Sequence, residues 1–400
     1  MDNFHLMAKP AGPACNLNCT YCFYLEKENL FRSGQTQMSD EILEAYTQKY
    51  IASQKGPDVN FAWQGGEPTI AGLDFFRKAV KLQKKHNKGK KITNALQTNG
   101  TLINEEWCRF LAKNHFLVGL SLDGPGELHD RYRRNKGDKP TFLKVKRAMD
   151  LFRRFGVEYN ILTTVNDRNS REPLKVYDFF KKAGVEFIQF IPIVEREGDS
   201  GAHELGLQLG VPGQGDDSET EVTGWSVEPE TYGDFLIAIF DRWIRHDVGR
   251  IFVMNFEWAF SAAINGVSGV CQFAPRCGNA GIVEHNGDVY SCDHFVYPRY
   301  KIGNILDDNP AELFNSEQQI RFGMVKETGL SNECHSCPVL NLCYGGCPKH
   351  RFDKGQNYLC RGYKKFFTHI QPFIKTARTL VSQGRPLTDL MAMADSLLEK

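Results

Sequence analysis

Short apolar segments alternate with longer amphipathic segments along the first half of the chain. The apolar segments have the length and flanking residues of strands, and they cover residues 5–8, 60–63, 92–97, 117–121, 159–164 and 187–191. The segments between them repeat apolar residues at helical spacing, over residues 40–53, 73–86, 105–114, 142–155 and 174–183. The first 194 residues are therefore predicted to be a βα series.

Regular alternation of this kind is typical of parallel strands joined by right-handed crossovers. Six units are fewer than the eight of a closed barrel. We therefore expect an α/β fold, a partial (β/α)6 TIM-like barrel that stays open.

Polar and glycine-rich motifs follow the predicted strands. A cysteine-containing loop follows the first strand, and the segments 64–68, 98–100 and 121–125 follow the next three. Parallel α/β folds build their sites at that end of the strands, so the motifs are predicted to converge. Gly65 and Gly66 would let the backbone approach a ligand closely. Glu67 has two interpretations, an acceptor for an ammonium group or a helix cap.

Three cysteines in the first loop, Cys15, Cys19 and Cys22, have the spacing C-x3-C-x2-C. Three thiolates can hold three corners of a [4Fe–4S] cluster, which leaves the fourth iron free to bind a substrate or cosubstrate. The alternatives are a zinc loop or unrelated buried thiols. Zinc would need a fourth ligand nearby, and the candidate, His5, lies in a predicted strand.

Eight further cysteines lie in the second half of the chain, and the last five have the spacing C-x2-C-x5-C-x3-C-x12-C. The eight are Cys271, Cys277, Cys292, Cys334, Cys337, Cys343, Cys347 and Cys360. Eight thiolates satisfy two closed four-thiolate clusters, or two zinc sites. A redox function of the protein favours iron–sulfur clusters, because zinc does not change its oxidation state. The twelfth cysteine, Cys108, lies in a helical pattern and is predicted to be a core residue.

The two halves are joined by residues 195–227, which are rich in Gly, Asp and Ser. Leu205, Leu207 and Leu209 alternate there, so one short strand is possible. Otherwise we expect a mostly flexible loop over the open side of the barrel. The predicted organisation is a barrel (1–194), this loop (195–227), a helical connection (228–265), a cluster domain (266–365) and a helical C-terminal segment (366–400).

Composition excludes several classes of function. The chain has 400 residues, of which 41% are hydrophobic. Its formal net charge is +1, so it has no strong electrostatic field that would attract nucleic acid or membranes nonspecifically. We expect no signal peptide, because Lys9 and Pro10 interrupt the first apolar stretch, and no apolar run is long enough to span a bilayer. Clustered cysteines in such a chain indicate metal sites rather than disulfides, and we expect a cytoplasmic protein.

These motifs resemble those of a known superfamily. The triad Cys15, Cys19 and Cys22 with Tyr21 is similar to the signature of radical S-adenosylmethionine (radical SAM) enzymes. The segment 65–68 resembles the motif with which these enzymes bind the amino group of S-adenosylmethionine. Cys277, Gly287 and Cys292, followed by the run from Cys334 to Cys360, resemble a SPASM domain with two auxiliary clusters. Within the superfamily the chain most resembles anaerobic sulfatase-maturating enzymes, in residues 9–10, 15–24, 63–69, 96–103, 118–125 and 344–347.

The resemblance implies oxidation of a cysteine or serine in a sulfatase to Cα-formylglycine, begun by a 5′-deoxyadenosyl radical that removes hydrogen from Cβ. It implies three [4Fe–4S] clusters and S-adenosylmethionine as cofactors. The implied partners are an unfolded or nascent sulfatase segment and an electron donor such as ferredoxin or flavodoxin. The residues implied to contact S-adenosylmethionine are Tyr21, Gly66, Ser121, Arg133 and Val194.

The resemblance also sorts the auxiliary ligands. It implies that one cluster is held by Cys271, Cys277, Cys292 and Cys347, and the other by Cys334, Cys337, Cys343 and Cys360. Spacing alone would keep the cysteines from 334 to 347 together. Asp293 matches the family's proposed catalytic base; the alternative is a turn acid that binds nearby backbone.

Two other functions remain open at this point. A SPASM maturase that forms a thioether or carbon–carbon crosslink in a ribosomal peptide would begin with the same hydrogen abstraction. A non-enzymatic electron carrier or zinc scaffold would use the cysteines without turning over S-adenosylmethionine. The open three-cysteine site argues against the second.

Overall fold

Ten strands form one open, mixed sheet in the computed structural model, which describes residues 4–31, 34, 36–213, 221–352 and 355–399. The strand order is β10-β9-β8-β1-β2-β3-β4-β5-β6-β7. The strands are β1 (His5–Ala8), β2 (Asp58–Trp63), β3 (Lys91–Thr98), β4 (Phe116–Ser121), β5 (Tyr159–Val165), β6 (Phe187–Pro192), β7 (Phe252–Val253), β8 (Ala280–Val283), β9 (Asp288–Tyr290) and β10 (Lys301–Asn304).

Sixteen α-helices are found in the described residues. They are α1 (Asp40–Ser53), α2 (Leu73–His86), α3 (Glu105–Lys113), α4 (Gly126–His129), α5 (Phe142–Phe155), α6 (Pro173–Lys182), α7 (Ser200–Glu204), α8 (Pro229–His246), α9 (Met254–Asn265), α10 (Pro310–Asn315), α11 (Glu317–Thr328), α12 (Asn332–His335), α13 (Leu340–Cys343), α14 (Cys360–His369), α15 (Gln371–Ser382) and α16 (Leu390–Leu398).

The predicted open partial barrel is confirmed. Strands β1 to β6 are parallel and neighbours in the order of the chain, and each predicted strand or helix lies within two residues of its observed bounds. Helices α1, α2 and α5 have the predicted bounds. The predicted core residue Cys108 is fully buried.

Helix α1 illustrates how the sequence produces these elements. The Ser39 side chain accepts a hydrogen bond from the Ile42 amide and caps the helix. Ile42, Tyr46 and Tyr50 lie four residues apart, so they share the face that packs on the sheet. The Tyr46 hydroxyl also donates to the Leu6 carbonyl of β1, at 2.7 Å.

The second half of the chain extends this sheet at both edges, which the sequence did not predict. Strand β7 pairs with β6, and β8 pairs in parallel with β1, in a register from His5 opposite Ala280 to Ala8 opposite Val283. Strands β9 and β10 then continue antiparallel. The loop after β9 is thereby brought beside the cysteine loop after β1.

The segment 195–227 differs from the predicted flexible loop. Residues 214–220 lie outside the described residues, but the rest is packed, with helix α7 in its first part. Ala202, Leu207 and Val211 are buried against Tyr297. No strand runs through Leu205, Leu207 and Leu209: Leu209 forms an isolated bridge with Glu197, and Leu205 and Leu207 pack in the cluster around Tyr297.

Helix α8 packs against α6, α14 and α16 and anchors the C-terminal helices to the barrel. Just after it, the buried Asp247 carboxylate accepts hydrogen bonds from the Lys181 ammonium at 2.7 and 2.8 Å and from the Tyr177 hydroxyl at 2.9 Å.

Among the described residues, no helix combines the length and apolar character that crossing a bilayer requires.

Candidate active site and cluster-binding cysteines

The cysteine loop after β1 is bound to the glycine motif after β2 by backbone hydrogen bonds. The Gly66 amide donates to the Gly12 carbonyl and the Glu67 amide to the Ala14 carbonyl, both at 2.8 Å. A Cβ atom on Gly66 would lie 2.2 Å from the Ala14 oxygen, so only glycine fits. The close approach predicted at Gly66 is therefore, first of all, an approach to the cysteine loop itself.

Glu67 acts as a cap, the second of its two interpretations. Its carboxylate is fully buried and accepts from the Thr69 amide at 3.0 Å, the Thr98 hydroxyl at 2.7 Å and the Asn99 amide at 2.7 Å. These donors belong to the loops after β2 and β3. The side chain thus joins two of the motifs that the strand pattern predicts to converge.

The thiols of Cys15, Cys19 and Cys22 lie close enough to interact electrostatically with one another. Burial, and to a smaller degree the neighbouring thiols, raise the pKa of Cys15 to about 11 and the pKa of Cys19 further. The Leu17 amide donates to the Cys15 sulfur at 3.4 Å and the Asn99 side-chain amide at 3.8 Å.

This donor set fits an iron–sulfur cluster. Buried thiolates repel one another unless a cation lies between them, and N–H donors to the sulfurs are a common feature of such sites. In the described part of the chain, no three His, Cys, Asp or Glu side chains converge as they would on a single metal ion. A cluster binds each thiolate at a separate iron, so its ligands need not converge.

Tyr21 and Arg133, two of the residues implied to contact S-adenosylmethionine, are brought together by Asp123. The same carboxylate oxygen of Asp123 accepts from the Tyr21 hydroxyl at 2.5 Å and from Arg133 Nε at 3.0 Å. The other oxygen accepts from the Thr164 amide at 3.0 Å. Asp123 is fully buried and holds both side chains beside Cys19. It lies in the motif 121–125, but its role had no separate signal in the sequence.

The remaining two implied contacts, Ser121 and Val194, lie at the same edge of the sheet. Ser121 is the last residue of β4 and Val194 follows β6, and both are buried. Ile193, next to Val194, packs against the cluster formed by Leu17, Cys19, Tyr21 and Tyr132. The structure therefore gathers the five residues around the cysteine loop, and their contact with S-adenosylmethionine stays a prediction.

Asp293, the predicted base, faces the barrel from the loop after β9. Its carboxylate lies 2.5 Å from the Lys9 ammonium and accepts from the Gln64 side-chain amide at 3.1 Å. Burial acts to raise the pKa of Asp293, but the charge and hydrogen bond of Lys9, together with His294 and Lys349, outweigh it, and the pKa lies below its ordinary value. Its partners are thus side chains from the ends of β1 and β2 rather than nearby backbone.

Further charged groups surround Asp293, and sequence reasoning did not find them. Lys9 lies over the Tyr24 ring, 3.3 Å from its centroid. Lys349 forms a buried ion pair with Glu195 and lies 4.1 Å from the centroid of the Phe23 ring. Lys349 and Glu195 are separated by 154 positions, so no local pattern could have signalled this pair.

His294 connects the two cysteine regions. Its ring lies 5.8 Å from that of Phe23, next to Cys22, and its Nδ1 atom lies 3.5 Å from the Cys347 sulfur. Asp293 is the residue before it. The candidate base therefore lies between the three-cysteine loop and the C-terminal cysteines.

The C-terminal thiols fall into two groups in space. Cys271 interacts electrostatically with Cys277, Cys292 and Cys347. The second group lines a separate cavity of about 230 Å³, and its members are Cys334, Cys337, Cys343 and Cys360. The two groups contain the same cysteines as the two sets that the resemblance implies, so Cys343 and Cys347 belong to different groups. Spacing alone would have placed them in the same group.

Two family models match the chain. The model of the radical SAM superfamily matches residues 10–180, and the SPASM model, an iron–sulfur cluster-binding domain, matches residues 271–338. The first match contains the three-cysteine loop, and the second begins at Cys271 and ends just after Cys337, so that Cys343, Cys347 and Cys360 lie beyond it.

Similar proteins share almost the whole chain. A serine-type anaerobic sulfatase-maturating enzyme of Bacteroides thetaiotaomicron is 44% identical over 403 residues, which cover 99% of this chain and 96% of the relative. A cysteine-type anaerobic sulfatase-maturating enzyme of Clostridium perfringens is 37% identical over 385 residues, 93% of this chain and 97% of the relative.

Solved structures agree with these relatives. Native anSMEcpe with bound AdoMet and Kp18Cys peptide superposes with a TM-score of 0.81 at 36% identity, and the match covers 94% of this chain and 99% of that one. Streptococcus suis SuiB bound to precursor peptide SuiA has a TM-score of 0.60 at 14% identity over 90% of this chain and 76% of that one, which is a likeness of fold alone.

Proposed function

Because the chain belongs to the family of anaerobic sulfatase-maturating enzymes, within the radical SAM superfamily, we propose that it oxidises a cysteine or serine side chain of a sulfatase polypeptide to Cα-formylglycine. The observation that carries the proposal is the position of Asp293. A partly buried, ionised carboxylate lies between the three-cysteine loop and the C-terminal cysteines, bound to Lys9 and Gln64.

The cofactors of this chemistry are three [4Fe–4S] clusters and S-adenosylmethionine. When bound, they supply reductive cleavage of S-adenosylmethionine and removal of a hydrogen atom from the substrate Cβ. Cys15, Cys19 and Cys22 hold the cluster with the open iron. Their mutual interaction and their N–H donors support this assignment.

The residues assigned to S-adenosylmethionine are Tyr21, Gly66, Ser121, Arg133 and Val194. Their support is their common position at the carboxyl edge of the sheet, around the cysteine loop. Asp123 is a positioning residue for this group, because its carboxylate fixes both Tyr21 and Arg133.

Asp293 accepts the proton of the substrate hydroxyl or thiol. Its lowered pKa keeps it ionised and ready to accept, and Lys9 and Gln64 orient its two oxygens. The substrate side chain loses one hydrogen from Cβ and one from its oxygen or sulfur. This change is a two-electron oxidation: one electron leaves with the hydrogen atom taken from Cβ, and the second needs an exit route close to the substrate.

The two auxiliary sets are assigned as the groups that the structure separates in space, Cys271 with Cys277, Cys292 and Cys347, and Cys334 with Cys337, Cys343 and Cys360. The electron donor is assigned to the ferredoxin or flavodoxin class, whose low potentials suit reduction of such clusters. A cytoplasmic location is supported by twelve free thiols, which an oxidising compartment would couple.

The first experiment tests the open cluster. Replacing Cys15, Cys19 and Cys22 together by Ala should abolish formation of 5′-deoxyadenosine and remove the iron of one cluster while the other two are retained. Cys108→Ala is the matched control, because Cys108 lies in the core and belongs to no set. Unchanged 5′-deoxyadenosine formation in the triple variant would contradict the radical assignment.

The second experiment tests the product. Serine- and cysteine-containing sulfatase peptides, incubated anaerobically with S-adenosylmethionine and a reductant, should gain a carbonyl that hydrazides trap and that mass spectrometry identifies. Asp293→Asn should lose peptide oxidation more than S-adenosylmethionine cleavage. A crosslinked peptide without a carbonyl would instead identify a thioether- or carbon-crosslinking maturase.

A further inference from the structure

Two buried cations, Lys326 and Arg351, lie between the two auxiliary cysteine sets. Lys326 projects from α11 and is fully buried, and Arg351 follows Cys347 and is 9% exposed. The Lys326 ammonium interacts electrostatically with Cys277 and Cys347 of the first set and with Cys343 of the second. Arg351 likewise interacts with members of both sets.

No carboxylate of the described residues neutralises either cation. Within the described residues, the ion pairs include neither Lys326 nor Arg351, and the two side chains repel each other. Burial, together with the Arg351 charge, lowers the pKa of Lys326 to about 8, while the neighbouring thiolates act to raise it. Two adjacent buried cations are unfavourable unless anions face them, and thiolate-ligated clusters are anionic.

The same cations bind the loop that separates the two sets. The carbonyl of Tyr344 accepts from Lys326 Nζ at 2.9 Å and from Arg351 Nη2 at 3.0 Å, and the carbonyl of Gly345 accepts from Arg351 Nε at 3.1 Å. Arg351 Nη1 also donates to the Lys326 carbonyl at 2.7 Å, which ties the two cations together.

This loop has an unusual backbone. Tyr344, Gly345 and Gly346 are all left-handed, with φ angles of 45°, 68° and 62°. Tyrosine disfavours this region, so the loop needs outside support. Its course is what sends Cys343 to the second set and Cys347 to the first, although only three residues lie between them.

We propose that Lys326 and Arg351 form a cationic bridge between the two auxiliary clusters, which holds Cys343 and Cys347 apart and raises the reduction potential of both clusters. A nearby positive charge stabilises the reduced cluster, the more negative state, over the oxidised one. Because both cations are buried, solvent screens this effect little. The pair thus favours arrival of an electron at the auxiliary sites without itself touching substrate.

The test removes the charge and then restores it. Lys326→Met keeps most of the side-chain length but no charge, and Lys326→Arg keeps the charge. Arg276→Gln is the control, because Arg276 precedes Cys277 but is 61% exposed and pairs with Glu327. Each anaerobically reconstituted protein is assayed for iron content and titrated by EPR-monitored potentiometry, without peptide.

With iron fully retained, Lys326→Met should lower the reduced-to-oxidised ratio of the auxiliary clusters at least tenfold at the parent's midpoint, about 59 mV for a one-electron couple. Lys326→Arg and Arg276→Gln should stay close to the parent. Unchanged potentials in fully loaded Lys326→Met would overturn the proposal.

Loss of clusters is also informative. If Lys326→Met or Arg351→Gln loses iron while Lys326→Arg and Arg351→Lys retain it, the charge is needed to hold the two sites and the proposal stands. If the charge-conserving variants lose as much iron as the neutral ones, side-chain packing is what matters and the proposal fails.

The inference rests on the cluster assignment made under the proposed function but not on the substrate. The readouts are iron content and potential, which are independent of peptide oxidation. A failed formylglycine assay would therefore leave it intact, and a failed potential shift would leave the sulfatase reaction intact.

Discussion

Asp123→Asn is a sensitive test of how the predicted cofactor site is held together. In the parent, one oxygen of Asp123 accepts from both the Tyr21 hydroxyl and Arg133, and the other accepts from the Thr164 amide. An asparagine amide has a single oxygen. If that oxygen faces Arg133, its NH2 group meets the Thr164 N–H, and if the amide is turned round, the NH2 group meets the Arg133 guanidinium.

Either orientation leaves a buried donor unsatisfied and the Arg133 charge unpaired. Arg133 and Asp123 have side-chain exposures of 11% and 0%, so water cannot replace the lost partner. Breaking a buried ion pair from one side costs about 3–5 kcal/mol. We therefore expect the free energy of unfolding to fall by about that amount.

Binding of S-adenosylmethionine should weaken as well, because Asp123 no longer fixes Tyr21 and Arg133. A tenfold or larger increase in its Kd, about 1.4 kcal/mol, is expected. Urea unfolding of the anaerobically reconstituted protein measures the first effect, and equilibrium dialysis with labelled S-adenosylmethionine measures the second.

Asp130→Asn is the matched control for this experiment. A single oxygen of Asp130 accepts from the amides of Thr141 and Phe142, so an asparagine keeps both hydrogen bonds. Its unfolding free energy should stay within about 1 kcal/mol of the parent. If Asp123→Asn is no less stable than Asp130→Asn and binds S-adenosylmethionine as the parent does, the reasoning is refuted.

Three further changes test other parts of the structure. Asp247→Asn should lower the free energy of unfolding by at least about 2 kcal/mol near pH 7, because the Lys181 ammonium loses the buried carboxylate that accepts its hydrogen bonds. Burial acts to raise the pKa of Asp247, but hydrogen bonds from Lys181 and Tyr177 lower it on balance. In urea unfolding, the stability deficit of Asp247→Asn relative to the parent should therefore shrink as pH falls below about 4. A deficit that does not change with pH would contradict this. Gly66→Ala should displace the cysteine loop and lose the iron of one cluster, whereas Gly224→Ala, which meets no atom within 4 Å, should keep all iron; equal iron content would refute the close-approach argument. Glu67→Gln should cost about 1–3 kcal/mol in urea unfolding, because one of its oxygens no longer accepts from the Asn99 amide, and a neutral result would mean that the two loops are held by other contacts.

The barrel could be predicted because its signal is local. Each of the six predicted strands and five predicted helices up to Pro192 has its own apolar pattern, and caps such as Ser39 mark where a helix begins. The edge strands could not be predicted in this way. Strands β7 to β10 have two to four residues and lie outside the repeating βα series, and they form because β6 and β1 offer edges on which β7 and β8 pair.

The residues of the candidate site can be divided in the same way. The cysteines, Gly66 and Asp293 lie in short motifs that can be recognised in the sequence. Glu284, which accepts from the Tyr24 hydroxyl, lies 260 positions away from it, and Gln64 is 229 positions from Asp293. Contacts of this kind depend on how distant strands pair, and no pattern within either segment encodes the pairing.

The pairing of β1 with β8 is therefore the step that creates the site. Beyond the last paired residues, Ala8 and Val283, the Lys9 amide donates to the Val283 carbonyl at 2.9 Å, and on the other side of β1 the Gln64 amide donates to the Ala8 carbonyl at 3.0 Å. Lys9 is thus placed between β2 and β8, where its ammonium and the Gln64 side-chain amide both reach the Asp293 carboxylate. A slip of one residue would turn Lys9 to the opposite face and take from Asp293 the cation that lowers its pKa most, so the same register that completes the sheet also pairs the candidate base with its cation.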